Sequence, residues 1–115
     1  MEERLYYELV YLAQEKYVST YSDIGNSLGL SMADEKEREQ LADLLTVIAR
    51  SEDNKNHPML TALVIRSGAN EIASDGFFEL AYEFGLYSGS ANEVDRKKFW
   101  ESQIEAVYDY WDSDS

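Results

Sequence analysis

Apolar residues recur at helical spacing near both ends of the chain. In the N-terminal part Leu5, Leu9 and Ala13 lie four residues apart, which predicts a helix from Glu3 to Tyr17. A second series recurs at spacings of four, three and four: Trp100, Ile104, Val107 and Trp111. This series predicts a long C-terminal helix with one buried face.

A short segment from Thr20 to Leu30 predicts a helix of about two turns. Ser22 can cap its start, Ile24 and Leu28 share one face, and Gly29 can take the left-handed conformation that ends it. So short a helix is marginal in water alone, so we expect longer helices on both sides of it. That is the layout of a helix-turn-helix.

The next segment predicts a third helix from about Ala33 to Arg50. Ser31 and Asp34 have the spacing of a capping box. The buried stripe of this helix is formed by leucine and isoleucine: Leu41, Leu44, Leu45 and Ile48. The polar segment from Ser51 to Pro58 is predicted to be a loop.

A mostly apolar run from Met59 to Arg66 predicts a buried strand, and a turn after it leads to a short antiparallel return strand at Glu71–Ala73. A fourth helix is capped by Ser74 or Asp75 and ends at Gly85. Ser90 and Glu93 form a second capping box, which opens the C-terminal helix.

These elements predict a mostly helical α+β fold with a short antiparallel β-hairpin and a long C-terminal helix. At 115 residues the chain has the length of one domain, spanning 1–115. We expect a winged-helix-like core over about 3–73 and the C-terminal helices over about 75–112.

Part of this order resembles a known DNA-binding domain. The run Thr20-Tyr-Ser-Asp-Ile24, the pair Leu28-Gly29, and His57-Pro58 before a buried strand resemble the winged-helix domain of O6-alkylguanine alkyltransferases and alkyltransferase-like proteins. The resemblance covers Val18 to Ser67. It implies a winged-helix fold and DNA binding through the second helix of the pair.

The chain departs from that family in two respects. An alkyltransferase needs a nucleophilic cysteine, and the sequence has none. The helix that would enter the major groove begins Asp34-Glu-Lys-Glu-Arg-Glu39, and this acidic start opposes phosphate binding. We therefore predict that direct nucleic-acid binding is absent and that the frame serves to bind protein.

Charge is the strongest compositional feature, with 23 acidic against 10 basic residues and a net charge of −13. Such acidity either keeps the protein soluble or attracts a basic partner surface at a raised association rate. It disfavours nucleic acids and anionic lipids as partners. The sequence predicts no membrane segment. Because it has no signal-peptide pattern, it also predicts a cytoplasmic location.

No chemistry-bearing motif appears in the sequence. Without cysteine there are no disulfides or thiolate sites. The single histidine, His57, is interpreted as a loop or capping residue rather than a base. The acidic clusters lie on predicted helices and lack a calcium-loop spacing. We predict no enzyme activity, no catalytic residues, no metal and no cofactor.

The candidate partner-binding residues lie on two helices. On the C-terminal helix, Glu101, Glu105 and Asp109 lie four residues apart, and like charges at this spacing cost roughly 0.2–0.5 kcal/mol per pair. They are therefore either a tolerated solvent-facing row or a contact surface. Tyr7 and Tyr11 lie opposite the apolar face of the first helix, where they either contact a partner or pack beneath a neighbouring segment. The predicted contact set is Glu101, Glu105, Asp109, Asp112, Tyr110, Tyr7 and Tyr11.

The preferred hypothesis is an acidic inhibitor of the immunity or antitoxin type, which masks the basic nucleic-acid-binding groove of a nuclease toxin. A second is a DNA mimic that blocks a restriction or CRISPR nuclease. A third is a winged-helix DNA-binding regulator or accessory module, which requires a basic patch such as Arg66, Arg96, Lys97 and Lys98.

Overall fold

The computed structural model describes residues 1–67 and 72–112. This part is mostly helical with one small sheet, which confirms a mostly helical α+β class. In chain order the elements are α1 (Glu2–Glu15), β1 (Ser19–Thr20), α2 (Tyr21–Ser27), α3 (Glu35–Asn54), a 3-10 turn (Leu60–Leu63), β2 (Val64–Ile65), α4 (Asp75–Glu83) and α5 (Glu93–Tyr110).

The buried side chains form two hydrophobic clusters. The first joins α1, α2 and α3 to the 3-10 turn and to Val107 of α5. The second surrounds Phe77 and Phe78 of α4. Ile104 of α5 packs against both clusters. The 3-10 turn contacts α1, α3 and α5, so these three helices are held around one buried segment.

Helices α1 to α4 all end in the same way. A residue with positive φ follows each helix: Lys16, Gly29, Asn56 and Gly85. The N–H of the next residue bonds to a carbonyl five positions earlier, as in Tyr17 to Leu12 at 2.9 Å. This is the Schellman arrangement, and it confirms the predicted stops at Gly29 and Gly85.

Three helix starts are capped by residues other than the predicted serines. The side-chain caps are Thr20, Asp34 and Asn92 rather than Ser22, Ser31 and Ser90. Each start contains several residues that can accept a backbone hydrogen bond. The residue that caps the helix is the one whose side-chain oxygen reaches the first free N–H groups. Asp34 Oδ1, for example, accepts a hydrogen bond from Lys36 N at 2.8 Å.

Helix α3 is longer than predicted, since it runs on from Arg50 to Asn54. The polar composition from Ser51 onward predicts a loop. Glu52 nevertheless lies one turn after Ile48, and it is completely buried. The predicted loop is therefore wrong over its first half.

The predicted strand over Met59–Arg66 is also wrong in type, although residues 59–65 are all buried. Leu60–Leu63 form a 3-10 turn, and only Val64–Ile65 are extended. A short apolar run is compatible with any buried backbone, so periodicity could not distinguish these conformations.

The predicted antiparallel β-hairpin is corrected to a parallel pair. Ser19 pairs with Val64 and Thr20 with Ile65. Helices α2 and α3 connect these strands, and such a helical crossover brings the second strand back in the same direction. Of the predicted return strand, Glu71 lies outside the described residues, and Ile72 accepts one hydrogen bond from Arg66 N at 3.0 Å.

Candidate partner-binding site

Three carboxylates form a row along α5. Glu101, Glu105 and Asp109 recur every four residues and are all exposed, whereas Val107 on the same helix is completely buried. No ion pair between described residues involves these three side chains. We call them the acidic ladder. Its charge is directed at solvent and is available to a basic partner.

Aromatic side chains lie at the C-terminal end of the ladder. Tyr110 is 48% exposed, and its ring lies 5.0 Å from that of Trp111. Trp111 meets Tyr6 of α1 edge-on at 6.2 Å, and Tyr6 lies 5.9 Å from Tyr7. These four residues are the aromatic cluster. It connects the end of α5 to the start of α1 through continuous ring contacts.

A chain of hydrogen bonds leads from the protein interior to Tyr110. Glu52 Oε2 lies 2.5 Å from His57 Nδ1, and His57 Nε2 lies 2.7 Å from the Tyr110 hydroxyl. Glu52 is completely buried, the His57 side chain is 19% exposed, and Tyr110 reaches solvent. These hydrogen bonds therefore connect a buried carboxylate to an exposed phenol.

The end of α3 positions the hydrogen-bonded residues Glu52 and His57. Asn56 adopts φ 60°, which turns the backbone so that His57 N donates to Glu52 O at 2.9 Å. Asn is a common residue at this left-handed position, and Pro58 follows the turn. Glu52 thus holds His57 twice, once through its carbonyl and once through its carboxylate.

The order of groups determines the direction of the hydrogen bonds. A carboxylate oxygen accepts hydrogen bonds, so the tautomer that fits both contacts has the ring proton on His57 Nδ1, which donates a hydrogen bond to Glu52. In this tautomer His57 Nε2 accepts a hydrogen bond from the Tyr110 hydroxyl. Tyr110 is 48% exposed, and its hydroxyl oxygen keeps acceptor capacity after it donates to His57.

Tyr6 lies beside the same carboxylate. Burial, and after it the neighbouring charge of Glu52, raises the pKa of Tyr6 to about 12. Burial also raises the pKa of Tyr21 and of Tyr108. The Tyr6 phenol therefore stays protonated over the whole physiological range and can serve only as a neutral polar group there.

We expect Tyr6 to ionise near pH 12 in a spectrophotometric titration of the nine tyrosines. The unfolded chain loses this proton at the ordinary pKa of about 10. The stabilisation from Tyr6 is therefore complete below pH 10 and is lost as pH rises towards 12. Tyr6→Phe should remove this late component while Tyr7→Phe retains it. An unchanged late component in Tyr6→Phe would contradict the assignment.

The structure brings together some of the predicted contact residues and separates others. Glu101, Glu105, Asp109 and Tyr110 form one exposed surface, and Tyr7 joins it through Tyr6. Tyr11 is exposed one turn further along α1. Asp112 is half-buried just beyond α5 and makes interactions of its own.

Sequence reasoning missed the roles of Glu52, His57 and Tyr6. One signal was available for Glu52, which continues the helical spacing of Leu45 and Ile48. A carboxylate at the next position of this buried face indicates either that the helix has ended or that the carboxylate has a buried hydrogen-bond partner. Nothing in the sequence indicates that His57 lies between Glu52 and Tyr110, because His57 and Tyr110 are 53 positions apart in the sequence.

Within residues 1–67 and 72–112, no three His, Cys, Asp or Glu side chains gather in a way that could hold a metal ion. No helix in this part of the chain is long and apolar enough to cross a membrane.

Comparison with known proteins adds no relative. No family model, no curated protein and no solved structure matches the chain.

Proposed function

We propose that this protein is an acidic inhibitor that binds a basic protein through the acidic ladder and the aromatic cluster. The observation that carries the proposal is the row of three exposed carboxylates, which form no ion pair with any described residue and end next to Tyr110 in the sequence. Carboxylates steer and orient an incoming basic surface, while large amphipathic rings supply contact area.

The net charge of −13 supports a basic partner. A nuclease toxin is the class that fits best, because its active-site groove is positively charged in order to bind phosphates. An immunity or antitoxin-type protein would cover that groove and exclude nucleic acid. The interaction would form rapidly at low salt and weaken as salt rises.

A second row of carboxylates favours a DNA mimic as the alternative. On α3, Glu35, Glu39 and Asp43 are exposed at the same four-residue spacing as the acidic ladder. Two rows of negative charge would suit a partner that binds the two phosphate backbones of a duplex. The partner would then be a restriction or CRISPR nuclease rather than a dedicated toxin.

A winged-helix regulator that binds DNA has less support. Its basic patch would need Arg96, whose guanidinium pairs with Asp75 at 2.6 Å and lies 4.9 Å from the centre of the Phe78 ring. The start of α3 carries acidic residues in its first turn. Both features reduce the attraction for phosphates.

Affinity capture from the native cells tests the proposal. We expect the tagged protein to retain one basic nuclease at near-equal stoichiometry at low salt and to release it as salt rises. Mass spectrometry identifies the nuclease, and adding back the pure protein should inhibit its cleavage of nucleic acid. The identity of the nuclease then decides between a toxin and a defence enzyme.

Recovery of nucleic acid or of a DNA-processing assembly would contradict the proposal. Retardation of DNA by the pure protein at low salt would point the same way. In that case the winged-helix regulator would replace the inhibitor.

A further inference from the structure

A cleft of about 210 Å³ lies between the start of α1 and the end of α3. Its walls include Glu2, Glu3, Tyr6, Tyr7, Ile48 and Lys55. Ile48 is 1% exposed and supplies an apolar floor. The cleft borders the aromatic cluster, since Tyr6 and Tyr7 belong to both.

The side chains of this cleft match the chemistry of an arginine. The faces of Tyr6 and Tyr7 can stack on a guanidinium, and the apolar floor can receive the aliphatic stem. Glu2 and Glu3 line the cleft and are exposed, and a carboxylate can accept two parallel hydrogen bonds from a guanidinium.

A cation already occupies part of this surface. Lys55 Nζ lies over the Tyr6 ring, 5.7 Å from its centre. Tyr6 is also close enough to the buried Glu52 carboxylate for that charge to raise its pKa. An intramolecular ammonium on this ring is an observation, independent of the acidic residues, that the site attracts positive charge.

We propose that the cleft is a pocket for an arginine side chain of the basic partner, in which the guanidinium displaces Lys55 from the Tyr6 ring. This inference rests on the proposed function, because it assigns the chemistry of one partner residue. It adds a contact on α1 and α3 to the one on α5 and gives exposed Tyr7 a specific role.

The pocket can be tested without the partner by titrating N-acetyl-arginine amide into the isotope-labelled protein and following backbone NMR signals. We expect the signals of Tyr6, Tyr7 and Lys55 to shift. The matching citrulline amide has nearly the same shape but no charge, so it should shift none of them. Tyr7→Ala removes an exposed ring and should weaken binding about threefold.

Charge-matched variants separate the pocket from general attraction to an acidic protein. Lys55→Gln should strengthen binding of the arginine probe, whereas Lys36→Gln makes the same charge change away from the cleft and should have a smaller effect. Glu2→Gln with Glu3→Gln should weaken binding more than Glu15→Gln with Glu39→Gln.

Equal effects of the matched pairs would overturn the pocket. Shifts confined to Glu101, Glu105 and Asp109 would also overturn it, while leaving the proposed inhibitor intact. The absence of shifts at either place would overturn the pocket as well, and the capture experiment would still decide the proposed function separately.

Discussion

Replacing His57 with alanine is expected to lower the free energy of unfolding by about 3 kcal/mol. The loss arises because Glu52 is completely buried and His57 Nδ1, 2.5 Å away, is its hydrogen-bond donor. Without the imidazole the carboxylate keeps its desolvation cost and loses its compensation. The backbone N–H of residue 57 remains, so the helix-ending hydrogen bond to Glu52 O is retained. Chemical denaturation measures the change.

Two companion variants show whether the effect belongs to the buried pair. Tyr110→Phe removes only the outer, exposed hydrogen bond and should cost about 1 kcal/mol or less. Adding Glu52→Gln to His57→Ala removes the unpaired charge, so the double variant should be more stable than the sum of the single changes predicts. Strict additivity would mean that the two side chains do not act as a pair.

The hydrogen bonds from Glu52 to Tyr110 connect a buried pair that stabilises the fold to an exposed residue of the candidate contact surface. The buried end is fixed by α3 and by the left-handed turn at Asn56. At the exposed end His57 holds the hydroxyl of Tyr110, the residue that follows Asp109 of the ladder in the sequence. A side chain already held in one orientation loses less entropy when it binds, so rigid anchoring favours Tyr110 as a contact residue.

The fold was predictable where apolar spacing extends over several turns. Leu5, Leu9 and Ala13 are completely buried in α1, and Val107 is buried in α5, as the periodicity indicates. Caps were less predictable, because Thr20 and Ser22 are both good cap residues and the packing of α2 selects one. Polar composition predicts the end of α3 at Arg50, but the helix continues to Asn54, just before the left-handed Asn56 and Pro58.

Of the candidate site, only the residues that follow one another along α5 could be predicted from the sequence. The spacing of Glu101, Glu105 and Asp109 places them on one face of any helix, so their common exposure follows from the sequence. The contacts of Tyr110 with His57, and of Tyr6 with Trp111, join segments far apart in the chain. Such contacts depend on how α1, α3 and α5 pack around the 3-10 turn, which no local pattern specifies.

Neutralising the acidic ladder should weaken partner binding at low salt by about tenfold or more, mainly through a slower association rate. The triple variant Glu101→Gln, Glu105→Gln and Asp109→Asn removes three charges that form no ion pair with any residue in the described part of the chain. It should also flatten the salt dependence of binding. Thermal stability should be unchanged or higher, because like charges four residues apart no longer repel.

Helix α3 provides the matched control for this variant. Glu35→Gln, Glu39→Gln and Asp43→Asn remove the same number of charges at the same spacing, and all three residues are exposed. If the ladder is the contact surface, the α3 variant should bind nearly as fast as the parent protein, apart from the small loss due to net charge. Equal weakening by the two variants would mean that both rows face the partner, as expected of a DNA mimic. Weakening by the α3 variant alone would move the interface away from α5 and exclude the surface proposed for this protein.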